Sequence, residues 1–168
     1  MAITYTVGKG SYIRPIRSAR VRTLPEAASQ TFKVGDPLIL NTTANKGNQV
    51  KIAGADPSGT VVGFALIAAS GTENTDIPFA PLDEQAEFVV HVADTQTLDN
   101  DDLGVEYGIV ADATNQIWRL DNTETTAKVF RVVDFATNPQ TGVEFAHGDT
   151  NGAYRCTAAV NQQGLLKK

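Results

Sequence analysis

One cysteine, one tryptophan and two histidines in 168 residues leave this chain little of the chemistry that most enzymes and metal proteins use. With Cys156 alone, neither an intramolecular disulfide nor a cysteine-based zinc cluster can form, which fits folding in a reducing cytoplasm. His91 and His147 lie 56 positions apart with no helical i, i+4 pairing, so the sequence offers no zinc site, and neither histidine has the context of a base for Cys156. A run of about 18 apolar residues is also missing. The first residues, Met-Ala-Ile-Thr-Tyr, lack the basic-then-apolar pattern of a secretory signal, so the protein is expected to be neither membrane-spanning nor classically secreted, and Asn41-Thr42-Thr43 means little as a sequon. What is present, 42% hydrophobic residues at this length, suffices for one globular domain, or one domain plus an arm. Such a chain buries roughly 70% of its unfolded surface without staples.

Charge is unevenly placed. Residues 1–33 carry six bases against one acid, residues 34–127 carry three bases against fifteen acids, and residues 128–168 carry five bases against three acids. A basic N-terminal segment therefore precedes an acidic body whose field repels phosphates, so an acidic protein surface is expected as its partner, and nucleic acid is not.

Up to about residue 30 neither helical nor strand periodicity persists, and the segment reads as an extended arm. Thr23-Leu24-Pro25-Glu26 has the capping-box pattern and admits one or two helical turns. Beyond residue 30, short β-branched runs alternate with Gly, Asn, Asp and Pro about every ten residues, an all-β rhythm. Expected strands are Pro37–Leu40, Gln49–Ile52, Thr60–Ile67, Ala86–Val92, Val105–Val110, Gln116–Leu120, Lys128–Phe135, Gly142–Phe145 and Ala153–Val160. No segment supports a long amphipathic helix. The organisation expected is a basic arm over 1–30 and a β-rich domain over 31–168, an antiparallel β-barrel or β-tulip-like body with an extended N-terminal arm.

No motif carries a reaction. Cys156, inside the alternating run Tyr154-Arg155-Cys156-Thr157-Ala158, reads as a small core residue. Asp99-Asn100-Asp101-Asp102-Leu103-Gly104 has alternating carboxylates, but its fifth position is Leu103 and its twelfth is Val110 where a calcium loop needs a bidentate glutamate, so it reads as a solvated turn. Gly104-Val105-Glu106-Tyr107-Gly108 superficially resembles the motif of trimeric nucleotidohydrolases and lacks its water-activating aspartate. Trp118 on an alternating strand reads as packing. No cofactor and no metal are expected.

An ordered succession of segments carries a resemblance. It runs Val34-Gly35-Asp36-Pro37-Leu38, a strand through Val50 to Ala53, Val61-Val62-Gly63-Phe64-Ala65-Leu66, a turn at Gly71 and a strand containing Phe88. Asp102-Leu103-Gly104-Val105-Glu106-Tyr107-Gly108, Trp118-Arg119-Leu120-Asp121 and a closing strand near Val129 to Val133 complete it. Over roughly residues 30–135 the chain resembles the small capsid decoration (cement) proteins of tailed bacteriophages. The resemblance implies a non-enzymatic homotrimer on the outer surface of the mature head, made in the host cytoplasm, bound to the major capsid protein, stabilising the capsid, with no membrane role.

Position and charge assign shell binding to the arm, through Ile13, Arg14, Ile16, Arg17, Arg20, Val21 and Arg22. Guanidinium groups are expected to fork onto carboxylates while the apolar residues press into the seam. Pro15 is expected to interrupt any ladder, and deletion of residues 1–22 is expected to leave the body folded. The alternative is a carbohydrate- or host-binding β-domain with exposed Tyr107, Trp118 or Tyr154 as its stacking surface.

Overall fold

The structure, a computed structural model, describes residues 13–17, 20–43, 48–54, 57, 61–112 and 117–160, with Arg17 described in its backbone alone. Among the described residues the regular elements are eleven strands and one short 3-10 turn. The strands are β1 (Arg14–Arg17), β2 (Arg22–Pro25), β3 (Pro37–Leu40), β4 (Val50–Ile52), β5 (Val61–Ala65), β6 (Asp76–Pro81), β7 (Glu87–His91), β8 (Glu106–Asp112), β9 (Ile117–Asp121), β10 (Phe130–Phe135) and β11 (Ala153–Ala158). The all-β antiparallel class expected from the turn spacing is the class observed.

Two sheets share the chain. One has the order β2-β6-β5-β3-β4, the other β1-β7-β11-β10-β8-β9, and every ladder between named strands is antiparallel. One of the two sheets curls into a half-barrel. Val92, just past β7, bridges Leu120 of β9, and the Ala93 amide donates to the Leu120 carbonyl at 2.8 Å.

The sheets meet over one apolar core. β5 is buried along its whole length, as its continuous apolar run requires. Phe64 of β5 lies with its ring centroid 5.3 Å from that of Phe88 on β7 and 5.4 Å from that of Phe130 on β10. Trp118, Leu120, Tyr154 and Cys156 join this cluster. A second cluster, with Phe32, Leu38, Val62, Ile77 and Phe79, serves the five-stranded sheet. The β3–β5 register shifts between Leu38 and Ile39, and Val61 and Phe64 contribute to the first cluster while Val62 and Ala65 contribute to the second. Gly63 is required where β5 meets β6: a Cβ there would lie 2.9 Å from Pro81 Cα and would collide with the Ala80 carbonyl oxygen.

Several expectations need correction. Residues 13–17 and 22–25 do not form an arm separate from the body: β1 pairs with β7 and β2 with β6, so no structural boundary falls at residue 30. Pro15 is tolerated in β1 because that strand lies at a sheet edge, next to a register shift between Pro15 and Arg17. Thr23-Leu24-Pro25-Glu26 is extended, because Leu24 finds Ile77 across a ladder where a short helix would have had no support. β6 was not expected, and the expected strand Gly142–Phe145 is reduced to a single bridge between Thr137 and Glu144.

Candidate functional site

Each sheet has two edges, and the four differ in how they are finished. β4 is covered by the segment after β2: Glu26 bridges Val50, the Ala27 amide donates to the Val50 carbonyl at 2.9 Å, and the Ile52 amide donates to Gln30 Oε1 at 3.0 Å. β9 is covered in part by the end of β7 through the Val92–Leu120 bridge. β1 and β2 are the remaining edges, and no described strand pairs with their outer sides. They are consecutive in sequence. The four residues between them reach at most about 18 Å between Arg17 and Arg22, so one strap runs from the edge of one sheet to the edge of the other.

This strap carries the arginines singled out in the sequence. Arg14, Arg20 and Arg22 are exposed, and so are Ile16 and Val21, the latter at 62%. The Arg17 side chain, residues 1–12 and residues 18–19 lie outside the described residues. Ile13 is corrected: it is 2% exposed within the main core and anchors the strap to the body, so it is no contact for a partner. The first acid after the arginines, Glu26, is buried and bound internally. Its carboxylate accepts from the Ser70 amide at 3.0 Å and the Ser70 hydroxyl at 2.6 Å.

Other titratable groups are drawn into the fold in a similar way. Asp102 was expected in a solvated turn. It is instead buried, with Oδ1 accepting from the Tyr107 hydroxyl at 2.6 Å and Oδ2 from the Tyr154 hydroxyl at 2.5 Å. The Tyr154 oxygen also accepts from the Asp99 amide at 2.6 Å, and burial followed by the Asp102 hydrogen bond pushes both phenols above their ordinary pKa. Arg119, 2% exposed, holds Asp112 at 2.7 Å and also pairs with Asp94. His91 lies buried with Nδ1 3.3 Å from the Asn151 carbonyl oxygen. Burial lowers its pKa to about 4 against the opposing carbonyl contact, with Arg119 and Arg14 lowering it further. The thiol of Cys156 is fully buried and pushed up by desolvation alone, the inert state expected of a core cysteine.

The stacking surface of the carbohydrate alternative is not formed. Tyr107, Trp118 and Tyr154 are all buried, Trp118 at 7% exposure, so none presents an open ring face to a sugar. Sequence reading missed Asp94 and Asp112 as partners of the buried Arg119, and Glu26 as a buried carboxylate held by Ser70. Glu26 and Asp94 meet their partners only through the fold, Glu26 and Ser70 being 44 residues apart, whereas Asp112 meets Arg119 across the β8–β9 hairpin. No protein-family model matches the chain, and no curated protein matches its sequence.

Proposed function

We propose that this protein is a capsid decoration protein: it binds the outside of the mature head of a tailed bacteriophage and cements neighbouring copies of the major capsid protein, acting as a homotrimer and carrying out no reaction. The observation that carries this reading is the strap. Cationic and apolar side chains are exposed along the two open sheet edges of an otherwise acidic chain, while Asp102, Arg119, His91 and Cys156 are engaged or buried inside. The succession of segments that resembles cement proteins supports it independently.

Cementing needs no chemistry. A bound trimer that bridges capsid subunits must be detached before they separate, so its binding free energy adds to shell stability. Exposed ion pairs contribute only about 0 to 1 kcal/mol each, so the burial of Ile16 and Val21 at roughly 25 cal/mol per Å² must assist, with three straps per trimer adding avidity. The test is co-sedimentation of purified protein with expanded and with unexpanded heads of a phage that encodes it, alongside heat release of the packaged DNA. Selective binding to expanded heads and a higher release temperature are expected. Equal absence from both kinds of head overturns the reading.

A further inference from the structure

We propose that the strap recognises its partner through arginine side chains and not by strand addition, so that the partner surface is an array of protein carboxylates. The inference rests on the decoration reading for the partner's identity, but its chemistry is argued from the strap alone.

An open sheet edge ordinarily invites another strand, because it presents a row of unpaired amides and carbonyls. Both open edges here are poor templates. Each is four residues long, and each contains one residue without an amide hydrogen, Pro15 in β1 and Pro25 in β2. β1 is also broken in register between Pro15 and Arg17. An added strand would find at most three donors on either edge, and fewer still facing outward. The covered edges differ: β4 contains no proline and is paired by the chain's own residues 26–30.

What the two open edges do present is cationic. Arg14, Arg20 and Arg22 are exposed within nine positions. Guanidinium groups match carboxylates with two parallel hydrogen bonds, a geometry that an ammonium cannot reproduce. The flanking Ile16 and Val21 exclude water from such contacts without specifying charge. Prolines that prevent edge-to-edge aggregation thus leave the arginines as the selective element.

The experiment uses the full chain and labelled poly-L-glutamate as probe, read by fluorescence anisotropy at about 0.05 M and 0.3 M salt. Binding is expected at low salt and at least about tenfold weaker at high salt. The triple variant R14K/R20K/R22K keeps the charge and is expected to bind at least about tenfold more weakly than the parent, with an unchanged thermal melt. The variant P15V/P25V, which restores the missing amides, is expected to leave poly-L-glutamate affinity unchanged. An uncharged strand-forming Thr-Val peptide that binds the parent as well as poly-L-glutamate does overturns the inference, as does a lysine variant of parental affinity. Head co-sedimentation separates the two claims. Heads bound equally by parent and lysine variant refute the carboxylate chemistry and spare decoration, whereas poly-L-glutamate bound without heads refutes decoration and spares the chemistry.

Discussion

Ile13 decides whether the N-terminal segment is an appendage or a structural part of the two-sheet body. Its side chain is buried in the main core immediately before β1, while Val21, of similar chemistry and eight positions later, is mostly exposed. Truncating a buried isoleucine to alanine costs about 2 to 5 kcal/mol, because transfer free energy is lost and a cavity remains. For a domain of this size each kcal/mol lowers the melting temperature by about 2 to 4 °C, so a loss of about 3 kcal/mol in Ile13→Ala corresponds to a fall of about 6 to 12 °C. Val21→Ala is expected to stay within about 0.5 kcal/mol, as surface substitutions do. Deleting residues 1–22 removes β1 as well as Ile13 and strips the outer side of β7, so it is expected to destabilise more than Ile13→Ala, against the expectation from the sequence alone. Scanning calorimetry with a matched denaturant titration reads all three. An Ile13→Ala protein that melts within about 1 °C of the parent, or a deletion that melts normally, refutes the view that the strap is built into the core.

Tyr154→Phe removes the hydroxyl that joins the Asp102 carboxylate to the Asp99 amide, and chemical denaturation is expected to show a loss of about 1 to 3 kcal/mol. Because the folded phenols of Tyr107 and Tyr154 titrate above their ordinary value of 10.0, the unfolded chain loses these protons first; stability is full below pH 10.0 and falls as pH rises above it, with a shallower fall in Tyr154→Phe. His91 has the opposite dependence. Its pKa is lowered from 6.5 to about 4, so the unfolded chain binds the proton first on acidification, and stability is lost as pH falls from 6.5 towards 4; His91→Gln is expected to flatten that limb of a melting-temperature profile. Gly63→Ala, in most strands a mild change, is expected to yield little folded protein in a solubility and circular-dichroism assay, since its methyl would meet the backbone of Ala80 and Pro81.

The sequence made the middle of the fold legible and its margins obscure, for physical reasons. β3, β5 and β7 to β11 stand out because β-branched runs alternate with turn formers, and both Trp118 and Cys156 sit in the core as their alternating context implies. β6 escaped because Pro78 and Pro81 lie within its six residues. Proline normally argues against a strand, but Leu24 and Thr23 of the neighbouring edge strand pair here with Ile77 and Pro78. β1 and β2 escaped for the same reason, each carrying one proline, and in β2 a capping-box pattern competed. Tertiary pairing overrode it. The exposed positions of Arg14, Arg20 and Arg22 follow from their charge, whereas the burial of Ile13 beside them depends on which strand β1 pairs with, and short local patterns do not encode that. Asp102 is the clearest case of hidden role. Within a run of four polar residues it alone turns inward, because Tyr107 and Tyr154 arrive from two different strands to satisfy it.

The central claim is that the strap side of this two-sheet body lies against a phage shell. Cryo-electron microscopy of expanded heads incubated with the purified protein, reconstructed without imposed local three-fold averaging, measures this directly. The account predicts added density on the outer surface at three-fold and quasi-three-fold positions, with the β1 and β2 edges facing the capsid and Arg14, Arg20 and Arg22 against carboxylates of the major capsid protein. Bound density with the strap turned to solvent, or bare heads at saturating protein, contradicts it.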